Sequence, residues 1–268
     1  MTDRPIWQAA LNHDRLLISI ALALVIGLAW LSLLDMNMSP AAMDMSSMDM
    51  SSLEGMAMGD AAVPWTLSFA AMVFAMWAIM MVAMMLPSAA PMVLLYARVA
   101  GQTPSEGSTL APTIVFAGTY VAVWTLFSLV ATLVQWALSG AQLLSDTTMA
   151  LGNARIGGAL LVAAGLYQWT PLKRICLANC RSPIWFLTAH WRIGYAGAIR
   201  LGLIHGAYCI GCCWLLMALL FFGGVMNLAW VAAVAVVVLI EKTMPVGDRV
   251  GQVAGVVAIL AGVGLLVA

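Results

Sequence analysis

Long apolar stretches separated by short polar ones run along almost the whole chain, and this pattern predicts the secondary structure. Seven stretches approach or exceed the about 20 residues that an α-helix needs to cross a bilayer. They are residues 15–34, 67–97, 112–138, 155–171, 196–222, 228–244 and 249–268. The second stretch is longer than one straight span and contains Pro87 and Pro91, which predicts a kink or an extension beyond the membrane. The sequence therefore predicts an all-α, polytopic transmembrane helical bundle of about seven spans.

Positive charges predict which side of the membrane each segment faces. Inner loops carry an excess of Lys and Arg; with the N-terminus inside, ten of the eleven Lys and Arg residues fall on inner segments and only Arg155 on an outer one. We therefore expect the N-terminus inside and the C-terminus outside. Residues 1–34 form an N-terminal signal-anchor span, longer than a cleaved signal would need. Residues 35–66 form a periplasmic loop, and residues 67–268 a six-helix membrane domain with an inner, cysteine-containing loop at 172–195.

Composition supports this fold class and excludes several functions. Apolar residues make up 64% of the 268 residues and charged residues only 8%, against about 25% charged in an ordinary soluble domain. Eleven acidic residues balance eleven basic ones, so the chain lacks the basic surface that nucleic-acid binding needs. The lipid bilayer is therefore the first expected partner. Soluble enzymes and nucleic-acid-binding proteins are excluded.

The predicted outer loop is rich in methionine. Its four Met-x-Met pairs are Met36/Met38, Met43/Met45, Met48/Met50 and Met56/Met58. A polar, low-complexity segment has no core to fill and is expected to be disordered without metal. Neutral, soft thioether sulfur selects Cu(I) over Zn(II) and hard cations. We therefore expect copper capture by this loop, with Met43, Met45, Met48 and Met50 as candidate ligands. Scavenging of oxidants by the methionines is the alternative.

Methionines recur inside the second apolar stretch. From Met72 the sequence reads MVFAMWAIMMVAMMLPSAAPM, which places thioethers four residues apart on one face of a helix. The candidate ligands are Met76, Met80, Met81, Met84 and Met85. The density of sulfur directly after the methionine-rich loop favours a transfer path for metal, and ordinary packing methionines are the alternative. At the level of this motif alone, the segment resembles the Met-x-x-x-Met element of eukaryotic copper transporters.

A third cluster lies on the fifth apolar stretch. His205, Cys209 and Cys212 are spaced to share one helical face, with Cys213 beside that face and Met217 one turn further on. Thiolate and imidazole groups in this setting favour Cu(I), with zinc as the less favoured metal. Two other interpretations stay open. Buried cysteines can act as small apolar side chains, and Cys209 with Cys212 can act as a redox pair.

Two further cysteines and one acidic residue lie on the predicted inner side. Cys176 and Cys180 are flanked by positive residues that include Lys173 and Arg181. Positive neighbours are expected to lower a thiol pKa and to favour the metal-binding thiolate. A cytoplasmic position argues against a structural disulfide. Glu241 ends the sixth stretch and is a candidate ligand or gating group, with an ordinary boundary charge as the alternative.

Two of these motifs resemble a family of bacterial inner-membrane proteins described only as predicted metal-binding integral membrane proteins. The first motif is Trp77-x3-Met81-x-Ala83-Met84-Met85-x-Pro87-x3-Pro91. The second is His205-Gly-x2-Cys209-x-Gly211-Cys212-Cys213-Trp214-x2-Met217, continuing to Gly224-x-Met226-Asn227 and Glu241-Lys242. The resemblance implies metal binding within the bacterial inner membrane and supplies no known reaction. The methionine-rich loop lies outside the shared pattern.

The three clusters together predict a soft-metal-binding membrane protein. It captures copper, as Cu(I), at the outer loop and passes it along the methionines to the Cys/His site, for copper transport or delivery. A copper chaperone or a membrane metalloenzyme is the expected protein partner. Nucleotide-binding and phosphorylation motifs are missing from the sequence, and no enzymatic activity is predicted. A membrane thiol–disulfide electron conduit and a non-catalytic accessory subunit of a membrane metalloenzyme remain as alternatives.

Overall fold

The structure, a computed structural model, describes residues 6–38, 65–101, 110–145 and 149–268. Its helices are α1 (Ile6–Met38), α2 (Leu67–Ala100), α3 (Leu110–Gly140), α4 (Ala154–Tyr167), α5 (Pro171–Arg181), α6 (Pro183–His190), α7 (Tyr195–Ala218), α8 (Leu220–Gly223), α9 (Leu228–Thr243) and α10 (Gly247–Val267). The described ranges contain no β-strand, only an isolated bridge between Leu144 and Leu151. The predicted all-α class is confirmed. The loop ligands Met43, Met45, Met48 and Met50 lie outside the described residues.

Five helical segments are long and apolar enough to cross a membrane, by length and composition. They are Leu16–Met36, Leu67–Ala100, Leu110–Gly140, Tyr195–Gly223 and Gly247–Val267. The predicted spans at 155–171 and 228–244 are helical as well, but α4 and α9 have 14 and 16 residues, fewer than the about 20 that a straight span needs. The chain is therefore compatible with a membrane protein, whereas the seven-span count and the orientation stay predictions.

The middle of the bundle is formed by α2 and α7. In α2 and in α7, half of the residues of the most apolar 18-residue segment are buried inside the protein, against 17% in α1 and in α10. α2 runs as one helix through Pro87 and Pro91, and it packs against α1, α3 and α9. α7 packs against α3 and α5. The two helices that carry the predicted sulfur ligands are therefore the ones most enclosed by their neighbours.

The predicted inner loop at 172–195 contains two short helices, α5 and α6. The Thr170 side chain accepts a hydrogen bond from the backbone N–H of Lys173, and Pro171 occupies the first helical position, where proline needs no N–H partner. Pro183 begins α6 in the same way. Because α5 packs against α7, Cys176 and Cys180 face the cysteine-bearing helix.

Glycines let α4 and α10 pack at very short range. A Cβ added at Gly262 would lie 2.6 Å from the carbonyl oxygen of Gly158, and one added at Gly165 would lie 2.6 Å from the carbonyl oxygen of Gly255. Small residues at a helix–helix contact allow the backbones to approach closely. These glycines therefore serve packing within the chain.

Gly262→Ala is expected to lower the free energy of unfolding by about 1–3 kcal/mol, the usual effect of an overpacked contact. The clash is with backbone, which cannot rotate away as a side chain can. Gly264→Ala is the matched control, because a Cβ at Gly264 meets nothing within 4 Å. Thermal unfolding in detergent measures both variants, and equal midpoints for the two would contradict the packing role.

Candidate metal centre

Sulfur atoms from α2 and α7 meet in the buried core. Cys209, Cys212 and Cys213 are each 1% exposed, as is Met85. The Cys213 Sγ lies 4.0 Å from the Met85 Sδ. The thiols of Cys212 and Cys213 donate to the Cys209 carbonyl oxygen at 3.1 and 2.9 Å. The structure thus brings one predicted methionine of α2 to the predicted cysteines of α7.

Close packing of α3 on α7 brings a tyrosine to this cluster. A Cβ at Gly202 would lie 2.8 Å from the Phe116 carbonyl oxygen, and one at Gly206 would lie 2.8 Å from side-chain carbons of Val123. With no side chain at either glycine, α3 approaches until the Tyr120 hydroxyl lies 3.0 Å from the Cys209 Sγ. Cys209 therefore has a polar partner from a second helix.

Lys242 of α9 is the cation of the cluster. Its Nζ lies 2.8 Å from the Cys209 Sγ, 3.7 Å from the Met85 Sδ and 3.9 Å from the Cys213 Sγ. An ammonium group has donors and no acceptor, so the Cys209 sulfur accepts this hydrogen bond. Lys242 is buried, and a buried charge needs a counter-charge or hydrogen-bonding partners. The arrangement suits a negatively charged sulfur at Cys209.

The two cysteines of α5 also face α7, with a different protonation from the one predicted. The Cys180 thiol is hydrogen-bonded to the sulfurs of Cys209 and Cys212, and these bonds, together with burial, hold its pKa well above the ordinary value. Burial raises the pKa of Cys176, whose Sγ lies against the backbone of Gly211. The predicted lowering of both thiol pKa values by positive neighbours is wrong.

The positive residues near Cys176 and Cys180 are paired with other groups. Lys173 forms an ion pair with Glu241. Arg181 forms an ion pair with Asp248 and donates to the carbonyl oxygens of Met244 and Pro245. Because these charges are already paired, they do little to stabilise a thiolate at Cys176 or Cys180.

The raised pKa of Cys180 makes a testable difference to alkylation. Hydrogen bonds to Cys209 and Cys212 hold the proton of the Cys180 thiol. The pH midpoint of its reaction with N-ethylmaleimide should therefore lie above the pKa of a free thiol, about 8.5. Cys209→Ala/Cys212→Ala removes both sulfur acceptors, so the midpoint should fall. Residue-resolved mass spectrometry follows the rates. Cys176 is the internal control, because burial is the main cause of its shift, and an unchanged Cys180 midpoint would contradict the contact.

His205 sits one turn before Cys209 on α7. It is 3% exposed, and its ring lies among those of Tyr120, Phe116 and Phe186, with centroids 5.3, 6.2 and 5.4 Å away. Its Nδ1 is buried with no hydrogen-bond partner among the described residues. A buried polar atom of this kind calls for an explanation, and a metal ion is one that suits imidazole.

The remaining predicted methionines are buried within the same core. Met76, Met80, Met81, Met84 and Met217 are all 4% exposed or less. They belong to the apolar cluster that also contains the α7 cysteines. Burial of this kind is expected both of a transfer path and of a packed core.

Glu241 is engaged by a polar cluster of its own. One carboxylate oxygen accepts from the Lys173 Nζ at 2.7 Å, and the other accepts from the Gln168 Nε2 at 3.0 Å. Lys173 also donates to the Gln168 side-chain oxygen. The cluster borders a cavity of about 290 Å³ that Asp248 also lines. Both oxygens of Glu241 are thus occupied by protein donors.

Sequence reasoning missed Lys242 and Tyr120 as members of the site. Lys242 carried a usable signal, because an ionisable residue within an apolar membrane segment indicates function by default. Tyr120 carried none, since a tyrosine in an apolar helix is ordinary. Both reach Cys209 across long sequence separations, which a pattern along the chain does not reveal.

The cysteines, with Met85, form a donor set of sulfur atoms. Across the described ranges, no group of three or more His, Cys, Asp or Glu side chains has the arrangement of a site that could hold a metal ion. The ligands of Cu(I) are not limited to these four residue types, because Cu(I) also accepts the thioether sulfur of methionine. Met85 is such a donor, beside Cys213. The donor set therefore fits a soft cation that accepts two or three sulfur ligands.

Comparison with known proteins identifies the family of the chain. A family model described as PpoB2, copper chaperone, matches residues 74–265, well over half of the chain. The chain matches no curated protein and no solved structure. The matched region contains both motifs of the predicted metal-binding family as well as the centre around Cys209. Membership of a copper-related family is thereby confirmed, and the individual motifs stay predictions.

Proposed function

We propose, because the chain belongs to the copper chaperone family PpoB2, that it binds Cu(I) as cargo within the membrane and delivers it to a protein partner. The name of the family supports a copper-handling role. The apolar helices support a location in a membrane. A bacterial inner membrane, crossed with the N-terminus inside, is the location that fits the distribution of positive charges.

The single observation that carries this proposal is the contact of Cys209, Cys213 and Met85 with Lys242 in the buried core. Two thiolates and one Cu(I) have a net charge of −1, which is unfavourable away from water. A buried ammonium group beside the same sulfurs neutralises that charge. A metal site made only of neutral ligands would not need this lysine.

The buried methionines provide a path to this centre. Met76 and Met85 are nine residues apart on α2, so their Cα atoms are about 14 Å apart along the helix axis. Thioethers are neutral and hold Cu(I) through sulfur alone, so an ion exchanges readily between neighbouring sites. We propose capture by the methionine-rich segment, passage along Met76, Met80, Met81, Met84 and Met85, and binding by the α7 cysteines.

Further donors belong to the proposed centre. His205 contributes an unpartnered Nδ1, and Met217 is buried one turn beyond Cys213. Cys180 contacts Cys209 and Cys212, so it is the proposed next ligand on the way to Cys176 and a receiving partner. That partner is a copper chaperone or a membrane metalloenzyme, and the chain itself performs no covalent chemistry. Zinc is less favoured because thioethers are poor ligands for it.

Anaerobic loading with Cu(I), followed by elemental analysis of the purified full chain, tests the proposal. We expect wild type to retain copper, and Cys209→Ser/Cys212→Ser to lose the copper of the buried centre. Deletion of residues 39–58, which leaves α1 intact, is expected to leave the buried centre loaded and to remove only the copper held by the loop. Wild type without copper above background would overturn the proposal.

A thiol–disulfide conduit is the second candidate, favoured by the contact of Cys180 with both Cys209 and Cys212. The described cysteines are all free. A conduit predicts that Met→Leu exchanges along α2 leave function intact, whereas each single Cys→Ser exchange abolishes it. The copper proposal predicts that the Met→Leu exchanges slow delivery. An accessory subunit would instead co-purify with a metalloenzyme and bind no copper alone.

A further inference from the structure

A small cavity lies where the end of α1, the third and fourth turns of α2, the turn between α8 and α9 and the start of α9 meet. Its volume is about 20 Å³, which suffices for one guest about the size of a water molecule. Four methionines line it: Met36 of α1, Met76 and Met80 of α2, and Met226 of the turn. The rest of the lining is leucine and valine. Among the described residues, thioether sulfur is therefore the one kind of side-chain donor at this cavity.

This composition discriminates among possible guests. A water molecule needs two to four polar partners, which leucine, valine and methionine side chains do not supply. Hard cations require oxygen ligands, and zinc prefers nitrogen or thiolate. Four neutral sulfurs suit a soft monovalent cation. Met76 and Met80, one turn apart, share a face of α2, so two of the sulfurs come from one side and two from other segments.

Hydrogen bonds fix the segments that carry Met36 and Met226. The Trp30 Nε1 donates to the Ala83 carbonyl oxygen at 3.2 Å, which ties α1 to α2. The Asn227 side chain accepts from the Trp230 N–H, and the Trp230 Nε1 donates to the Leu219 carbonyl oxygen at 2.8 Å. Met226 therefore sits in a turn that is anchored on both sides. A preformed frame lowers the entropic cost of binding an ion.

We infer that this cavity is a four-thioether binding site for Cu(I), with Ag(I) as its chemical analogue. The inference rests on the proposed function and extends it, because Met36 and Met226 join the site from outside the predicted ladder. From Met80, the thioether one turn further along the same face of α2 is that of Met84. On the proposed path, the cavity thus precedes the cysteine centre.

Methionine oxidation, resolved residue by residue, tests this site in the full chain. Peroxide converts thioether to sulfoxide, and a sulfur that donates its lone pair to Ag(I) reacts more slowly. Met36 and Met226 are half-buried and so are within reach of peroxide. With Ag(I) at ten times its dissociation constant, about a tenth of the site is free, so both should oxidise about tenfold more slowly. Met244, 51% exposed, should be unprotected.

Two variants make the result specific. Met80→Leu, a volume-conserving exchange, should abolish the protection of Met36 and Met226. Met92→Leu is the matched control, because Met92 is an equally buried methionine of α2 in a separate core cluster, and protection should persist. Equal oxidation rates with and without Ag(I), or protection that survives in Met80→Leu, would overturn the inference.

The same measurement in Cys209→Ser/Cys212→Ser separates this site from the cysteine centre. Protection that persists in this background shows that the cavity binds by itself, even where the cysteine centre fails to bind copper. Protection that is lost there overturns an independent site. If wild type holds copper at the cysteines but Met36 and Met226 are unprotected, the inference fails while the proposed function stands.

Discussion

Replacing Lys242 by methionine should weaken Cu(I) binding roughly thirtyfold, or about 2 kcal/mol. The Lys242 Nζ lies 2.8 Å from the Cys209 Sγ, and both residues are buried. A bis-thiolate Cu(I) group without this ammonium is an unbalanced negative charge in the protein interior. Removing one partner of a buried charge pair costs about 3–5 kcal/mol, because the other charge stays buried and uncompensated.

The same lysine also competes with the metal for the Cys209 sulfur, and this effect has the opposite sign. A hydrogen bond to a charged group contributes about 1.5–3 kcal/mol, which the metal must displace in wild type. The ammonium lies within 4 Å of Met85 and Cys213 as well, so it keeps its charge interaction when the bond to Cys209 is lost. Charge balance therefore outweighs competition, and the net effect is a loss of affinity.

Competition with a Cu(I) chelator under anaerobic conditions measures the effect of Lys242→Met. Lys242→Arg keeps the positive charge and should restore most of the affinity, which a purely structural role would not predict. Arg174→Met is the control for charge in general, since Arg174 is exposed on α5. Affinity equal to wild type in Lys242→Met would contradict charge balance.

The long apolar helices were predictable because lipid and core burial demand continuous apolar runs. The second stretch, predicted at 67–97, is α2 at Leu67–Ala100, and the fifth, predicted at 196–222, is α7 followed by α8. α5 and α6 were not predicted, because each is too short for an apolar period to emerge. Their local signals are the Thr170–Pro171 and Ser182–Pro183 starts, which mark helix N-termini without giving a length.

The site was predictable only along single helices. Cys209 and Cys212 fall on one face of α7 because helical periodicity puts them there. The contact of Cys213 with Met85 joins residues 128 apart, and that of Tyr120 with Cys209 joins residues 89 apart. Such contacts depend on how the helices pack.

The adjacent residues Glu241 and Lys242 show most clearly which contacts the sequence alone does not predict. Successive residues of a helix point in directions about 100° apart. Their side chains accordingly reach different clusters, Glu241 toward Lys173 and Lys242 toward Cys209. The sequence favoured the carboxylate as the functional member of this pair, whereas the structure puts the lysine against the sulfurs.

Lys173→Met should lower the free energy of unfolding by about 3–5 kcal/mol. The Lys173 Nζ lies 2.7 Å from the Glu241 Oε2, and the two side chains are 3% and 2% exposed. Without the lysine, Glu241 would keep only the hydrogen bond from Gln168. Unfolding of the purified protein in detergent, followed by circular dichroism, measures the loss. A midpoint equal to wild type would show that water reaches Glu241 and screens its charge.

Lys173→Met/Glu241→Met is the matched control, and it also decides the role of Glu241. Replacing both charges of a buried pair by apolar groups is often neutral or stabilising by about 1–4 kcal/mol, so the double variant should regain most of the lost stability. It should also bind Cu(I) with wild-type stoichiometry, because the Glu241 oxygens hold Lys173 and Gln168 rather than a metal. A double variant that folds but loses copper would make Glu241 a ligand or gating group. Stability and copper content, measured on the same preparation, therefore separate an ion pair that holds α5 against α9 from a carboxylate that handles the cargo.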